Sequence, residues 1–168
     1  MENTIILETE RLTLRKLNLD DAAFIFEIVN TKGWISNIGD RNIRSLKDAE
    51  NYISSGPLKS YHENNFGMWI IEKKLDGTPI GLCGLIKRPG LEDIDIGYAL
   101  LPKHYKQGYA LESAKAVLDY GTNYLKIDKI VAICNTDNLD SIRLLNKIGL
   151  KIEKTMLIDD KNEVYLLS

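Results

Sequence analysis

The chain has 168 residues, of which 44% are hydrophobic and 27% are charged, a balance typical of a globular domain. Its 22 Lys and Arg against 24 Asp and Glu give a net charge of -2, which disfavours nucleic acid and anionic membrane surfaces as partners. No apolar run approaches the roughly 20 residues of a membrane-spanning helix. The first residues also lack a signal-peptide pattern, so we expect a cytoplasmic protein.

Cysteine and histidine are sparse and widely spaced. Cys83 and Cys134 form no Cys-x-x-Cys motif, and only His62 and His104 could join them. This spacing predicts no metal site. We expect both cysteines to be small core residues, because free cysteine is among the most buried residue types.

The first third of the chain predicts one strand and two helices. Apolar and polar residues alternate over residues 11–17, the pattern of a half-buried strand. Apolar residues at helical spacing follow Asp20, and Ser45 with Asp48 forms a variant capping box that opens a second helix. Pro57 is expected to break or bend that helix.

The middle of the chain predicts three strands and a long helix. Strands over 66–73 and 79–88 flank Asp76-Gly77, a strong hairpin signal. A third strand with clear alternation covers 93–100. A short basic loop then leads to a helix over about 110–124 with one apolar face.

The last part predicts a strand, a helix and a hairpin. The strand covers 129–134, and Asn138 caps a helix over 139–148. Strands over 150–157 and 163–167 form the final hairpin. The order β-α-α-β-β-β-α-β-α-β-β predicts a mixed sheet with helices on its faces.

The basic loop after the third central strand suits an anion. It carries Lys103, His104 and Lys106, and Gly108 opens the following helix. Helix N-termini expose unpaired N–H groups and a partial positive charge, which stabilise phosphate. A glycine turn with solvated lysines is the alternative interpretation of the same residues.

Three separated motifs carry a family resemblance. They are Asp95 to Tyr98 with Gly108 to Glu112, then Asn138 to Gly149, and the opening Leu7 to Arg15. Together they resemble the GNAT N-acetyltransferase superfamily, and most closely its branch of ribosomal-protein-alanine N-terminal acetyltransferases. The resemblance implies an α/β (α+β) fold in one acetyltransferase domain over residues 1–168. Its sheet would be central, mixed and mostly antiparallel, with about seven strands and helices on both faces.

The resemblance also implies acetyl-CoA as co-substrate, with no metal. Residues 105–110 match the family's diphosphate loop, and 96–100 match the bulged strand that pairs with the pantetheine arm. The implied cofactor contacts are Tyr98, Ala99, Leu100, Lys103, Tyr105, Lys106, Gln107, Gly108, Tyr109, Ala110, Asn138 and Ser141.

Two positions depart from the family pattern. Tyr105 stands where the family often has Arg or Gln, a mild change because backbone amides do most of the phosphate binding. Leu145 stands where many members carry a tyrosine that protonates the leaving thiol. The second departure leaves the general acid open.

The reaction implied is direct attack of a primary amine on the thioester in a ternary complex. An α-amine has a pKa of about 8, so it needs little help from a base. Asp95 is the first candidate base, with Asp93 and Glu92 as alternatives, although these acids could also form only an exposed strand face. Water or the Ser141 hydroxyl could protonate the thiolate, and Ser141 is the second candidate catalytic residue.

The acceptor is a small-molecule amine or a protein N-terminus, and Trp34, Asp40 and Trp69 are the candidate contacts. We expect no direct nucleic-acid or membrane partner and a monomer or homodimer. A noncatalytic acyl-CoA-binding or regulatory module is the alternative function that Leu145 suggests. An RNA-associated factor is disfavoured by the net charge.

Overall fold

The computed structural model describes residues 3–158 and 161–168, and eight strands of that part form one sheet. The turn expected at Asp159-Asp160 lies outside the described residues. The strands are β1 (Ile5–Glu8), β2 (Leu12–Lys16), β3 (Met68–Lys73), β4 (Pro79–Ile86), β5 (Ile94–Leu100), β6 (Ile130–Asn135), β7 (Ile152–Ile158) and β8 (Asn162–Leu167).

Six α-helices connect or cover these strands within the described residues. They are α1 (Ala22–Val29), α2 (Lys32–Asn37), α3 (Leu46–Ile53), α4 (Lys59–Asn64), α5 (Tyr109–Asp119) and α6 (Leu139–Lys147). The π-helical turn Ser54–Leu58, which contains Pro57, joins α3 to α4, so the proline does not break the helical run. None of the helices in the described part of the chain is long and apolar enough to cross a membrane.

The strand order is β1-β2-β3-β4-β5-β6-β8-β7, and every neighbouring pair is antiparallel except β5–β6. The prediction of a mixed, mostly antiparallel sheet is confirmed. The sheet has eight strands where about seven were predicted. The additional strand is β1, which forms a short hairpin with β2 in which Leu7 pairs with Leu14. The Thr9 N–H donates to the Leu12 carbonyl at 2.9 Å and closes the turn between β1 and β2.

Two hydrophobic cores cover the two faces of the sheet. Alternate residues of β3 show the division, since Trp69 and Ile71 pack with α5 and α6 whereas Ile70 packs with α1 to α3. The central strands β3 and β4 are therefore buried on both faces, and helices cover both faces of the sheet, as the sequence predicts.

The sheet opens between β5 and β6. These parallel strands pair only at Ile94↔Ile130 and Asp95↔Val131. On its other side β5 pairs with β4 continuously from Asp95 to Leu100, with no shift of register. The bulge implied by the family resemblance is thus absent from this pairing, and the gap arises from the early end of the β5–β6 ladder.

Candidate functional site

The backbone of β5 offers unused hydrogen-bonding groups to the gap. The Leu101 N–H donates to the Ile80 carbonyl on β4 at 2.9 Å. Because antiparallel pairing alternates the direction of backbone groups, the N–H and C=O of Tyr98 and Leu100 point away from β4. β6 no longer pairs at this level, so these groups line an open edge.

The loop that follows β5 and the 3-10 turn Pro102–His104 presents a row of backbone donors. Lys106 and Gly108 have φ values of +58° and +82°, in the left-handed region. In the described part of the chain, the N–H groups from Lys106 to Ala110 donate to no protein acceptor. They lead into the first turn of α5, where the helix dipole adds partial positive charge. This arrangement can hold an anion with two or more phosphates.

The predicted loop side chains lie around that row of amides. Lys103 is exposed at the start of the loop, and the Gln107 side chain donates to its carbonyl at 3.1 Å. Tyr105 extends towards α2, where its hydroxyl lies 2.7 Å from the place that a Cβ on Gly33 would occupy. Tyr105 therefore packs against α2 and leaves the loop backbone accessible.

Asp95 is buried at the point where the gap begins. It is 1% exposed, and its Oδ2 accepts a hydrogen bond from Arg88 Nη2 at 3.0 Å. Its Oδ1 is buried without a hydrogen-bond partner in the described structure. Burial raises the pKa of Asp95, and the charge and hydrogen bond of Arg88 oppose that rise.

The alternative acids are in different environments. Asp93 lies in the bend just before β5, where its side chain is 31% exposed and pairs with Lys129 at 3.3 Å. Glu92 is exposed. Asp95 is thus the buried carboxylate of these three. Its partner Arg88 was missed from the sequence, although pairing the two predicted strands would have brought them close.

A side-chain bridge crosses the gap from β5 to α6. The Tyr98 hydroxyl lies 2.7 Å from Ser141 Oγ, with either atom able to donate. Burial raises the pKa of Tyr98 to about 12, so the phenol keeps its proton at neutral pH. Cys134 lines the same region, and burial raises the pKa of its thiol. The bridge brings two hydroxyls, both with exchangeable protons, to one place.

Asn138 organises the start of α6 beside this bridge. Its side-chain oxygen accepts from the Ser141 N–H at 3.1 Å, as an N-cap does. Its Nδ2 donates to Asn37 Oδ1 on α2 at 3.2 Å. The helix α2 was not predicted, because its six residues show no apolar periodicity. Leu145 on α6 is fully buried, so this position brings no polar group to the gap.

The three predicted acceptor contacts are not brought together. Trp69 is 1% exposed in the core beneath α5 and α6, whereas Trp34 is 6% exposed in the core of the opposite face. Asp40 is exposed and pairs with Arg44 at 2.5 Å. Ala99 packs beside the same core as Trp34. The acceptor roles of these residues stay predictions.

A surface cavity of about 330 Å³ lies beside the Arg88 that holds Asp95. Its walls are the end of α4, with Glu63 and Asn64, and the turn between β4 and β5. Charges of both signs therefore surround it. Among residues 3–158 and 161–168, no three His, Cys, Asp or Glu side chains are grouped to hold a metal ion.

Comparison with known proteins identifies related sequences and folds. Residues 11–151 match the family described as acetyltransferase (GNAT) domain. An uncharacterized N-acetyltransferase of Bacillus subtilis, YoaA, is 35% identical over 152 residues, which cover 88% of this chain and 84% of YoaA. The match thus includes the strand, the loop and the helix starts described above.

Two solved structures share the fold over nearly all of both chains. RimL, a ribosomal L7/L12 alpha-N-protein acetyltransferase in complex with coenzyme A, has a TM-score of 0.82, 17% identity and coverage of 97% and 96%. The spermidine N-acetyltransferase of Vibrio cholerae, in complex with CoA and spermine, has a TM-score of 0.77, 22% identity and coverage of 95% for each chain.

Proposed function

The chain belongs to the GNAT acetyltransferase family, and from that premise we propose that it transfers the acetyl group of acetyl-CoA to a primary amine. The observation that carries the proposal is the unpaired edge of β5 together with the row of free N–H groups from Lys106 to Ala110, which follows after one short 3-10 turn. The proposed acetyltransferase domain covers residues 1–168.

The donor set fits acetyl-CoA along its length. Tyr98 and Leu100 offer backbone N–H and C=O groups that can pair with the amides of a pantetheine arm. The loop amides and Lys103 and Lys106 can hold the diphosphate. Acetyl-CoA, when bound, supplies an activated thioester; the chain's own contribution is to hold that ester at the β5 edge.

Asp95 is the proposed base, directly or through one water. Its unpartnered Oδ1 can accept a proton from the amine as the new C–N bond forms. Its raised pKa makes it a stronger base than an ordinary carboxylate, while Arg88 favours the charged form. An α-amine is partly neutral near pH 7.5, whereas a lysine is not, at a cost of roughly 4 kcal/mol.

The β5 edge and the hydroxyl bridge serve the other two needs of the reaction. A cleft-facing N–H of Tyr98 or Leu100 can stabilise the tetrahedral oxyanion, and one such donor is commonly worth about 10²–10³ in rate. Ser141, hydrogen-bonded to Tyr98, can donate a proton to the departing thiolate. As Ser141 gives its proton to the thiolate, the Tyr98 phenol can pass its own proton to Ser141 Oγ, so Tyr98 supplies the acidic group that Leu145 does not.

The acceptor belongs to one of two classes. RimL acts on a ribosomal protein α-amine by its name, and the Vibrio cholerae structure holds spermine. The proposal covers both a protein N-terminus and a small-molecule amine as the acceptor.

We propose that the protein acts as a monomer or homodimer. Two free cysteines support a reducing compartment, so we propose the cytoplasm.

Release of free CoA from acetyl-CoA, followed with a thiol-reactive dye, tests the proposal. The acceptor panel contains polyamines, aminoglycosides, amino acids and short peptides with free N-termini. Acceptor-dependent release is expected, and the responding compounds identify the acceptor class. CoA binding by calorimetry, with no release for any acceptor, would instead favour the noncatalytic acyl-CoA-binding module.

A further inference from the structure

Arg11, in the turn between β1 and β2, donates hydrogen bonds to the loop that precedes α5 and to the first turn of that helix. Its Nε donates to Glu112 Oε2 at 2.7 Å, and its Nη1 donates to the Gln107 carbonyl at 2.9 Å. Its guanidinium lies 4.4 Å from the centre of the Tyr109 ring. One side chain therefore contacts three residues at the junction of loop and helix.

The carboxylate that holds Arg11 is itself fixed. Glu112 Oε1 accepts from the Arg11 N–H at 2.9 Å and from Thr9 Oγ1 at 2.6 Å. Burial alone would raise the pKa of Glu112, but these hydrogen bonds and Arg11 outweigh it and lower the pKa. Glu112 stays ionised at neutral pH, and Arg11 neutralises its charge beside the loop.

The bond to Gln107 sets the direction of the next amide. In a trans peptide the C=O and the following N–H point in opposite directions. With the Gln107 carbonyl held by Arg11, the Gly108 N–H must point away from Arg11, on the open side of the loop. We infer that Arg11 is a positioning residue that aims the Gly108 amide at the diphosphate of the bound co-substrate, an inference that rests on the proposed function.

The same geometry explains why residue 108 is glycine. Its φ of +82° disfavours a side chain, and a Cβ there would lie 3.2 Å from Arg11 Nη2. The guanidinium occupies the space on the side-chain face of Gly108. The opposite face is left for a phosphate.

The test compares a ligand that has the diphosphate with one that lacks it. Calorimetry gives the Kd of CoA for the wild type, Arg11→Gln and Arg11→Lys, and steady-state kinetics give kcat/KM for S-acetylpantetheine. Lys47→Ala is the matched control, because it removes an exposed cation paired with Glu50 on α3. Thermal melting reports any loss of folding.

Arg11→Gln is expected to raise the Kd of CoA about tenfold, the size of one charge-assisted hydrogen bond. The kcat/KM for S-acetylpantetheine should change less than twofold. The Kd of CoA for Arg11→Lys should lie between those of the wild type and Arg11→Gln, since lysine keeps the charge and loses the two-nitrogen fork. If Arg11→Gln does not fold, the comparison of the two ligands is made with Arg11→Lys.

Equal losses with both ligands, or an unchanged Kd of CoA, would overturn the role of Arg11 and leave the proposed function intact. A wild-type chain that binds no CoA would overturn the proposed function, and this inference with it.

Discussion

The two sides of β5 differ sharply although they belong to one strand. Towards β4, six consecutive residues from Asp95 to Leu100 are paired, and the sheet is closed. Towards β6, only Ile94 and Asp95 are paired. Unmade backbone hydrogen bonds are costly in a protein interior, so an edge left open next to a donor-rich loop is suited to a ligand that can complete it. The closed side provides the rigid support and the open side provides the chemistry.

Glycines on the two sides have correspondingly different roles. On the closed side, a Cβ at Gly81 would lie 2.4 Å from the Ala99 carbonyl oxygen, so glycine permits close strand packing. On the open side, Gly108 permits a left-handed backbone beside Arg11. Substitutions should therefore separate stability from ligand binding.

The largest effect is expected at Asp95, where the closed and open parts meet. Asp95→Asn keeps the shape and removes the base, so kcat should fall by about 10²–10⁴. CoA affinity, measured by calorimetry, should stay within about twofold because the loop is untouched. Asp93→Asn is the control, because this acid lies two residues earlier, just outside β5, with its side chain 31% exposed. Equal kcat for Asp95→Asn and wild type would remove Asp95 from the mechanism.

The closed side is probed by Gly81→Ala. The added Cβ meets backbone, which cannot move aside as a side chain can, and we expect the free energy of unfolding to fall by about 1–3 kcal/mol. Urea denaturation measures the change. Gly56→Ala is the control, since no atom lies within 4 Å of its Cβ position. If Gly81→Ala is as stable as wild type, the β4–β5 contact is looser than described.

The open side is probed by Gly108→Ala. Left-handed backbone costs an alanine roughly 1–2 kcal/mol, so relaxation of the loop should weaken CoA binding about tenfold. Gly77→Ala is a close control, because its φ of +69° lies in the remote β3–β4 turn with nothing near its Cβ. If Gly108→Ala and Gly77→Ala change the CoA affinity equally, or neither changes it, Gly108 has no particular role in CoA binding.

The hydroxyl bridge across the gap should have a smaller effect. Tyr98→Phe keeps the backbone edge and removes one hydrogen bond to Ser141, so kcat should fall up to about tenfold with CoA affinity preserved. Thioesters with more acidic leaving thiols should be less affected. A uniform loss across leaving groups would show that Tyr98 does not assist proton donation.

The smallest change is a shift in pH dependence. Burial raises the pKa of Asp95 and Arg88 opposes the rise, so the acid limb of kcat/KM should lie above the ordinary carboxylate pKa of about 3.9. Arg88→Gln removes the favourable charge, and the limb should move to higher pH. A limb that stays in place, or moves to lower pH, would contradict the coupling of Arg88 and Asp95.

Much of the closed framework could be predicted from the sequence because it depends on local patterns. The alternation in 93–100 indicates β5, and Asn138 marks the start of α6. The separate strand β1 was missed because the alternation covers only residues 11–17, and the four residues of β1 are too few to show a period. The hairpin is closed by Thr9, which bonds within the turn.

The site was less predictable because it depends on which faces meet. Trp34 and Trp69 were both predicted to contact the acceptor, yet Trp34 on α2 and Trp69 on β3 belong to the cores on opposite faces of the sheet. The end of the β5–β6 ladder after Asp95 has no local signal. Arg11 is nearly a hundred residues from the loop that it contacts, so only the fold reveals the contact.

The most direct test of the account is amide hydrogen exchange by NMR with and without CoA. We predict slower exchange for the amides of Tyr98, Leu100 and Lys106 to Ala110 on CoA addition, since these N–H groups would gain acceptors. Amides already paired between β4 and β5 should change little. If CoA binds and the β5 and loop amides exchange as fast as before, the open edge is not the cofactor site and the account is wrong.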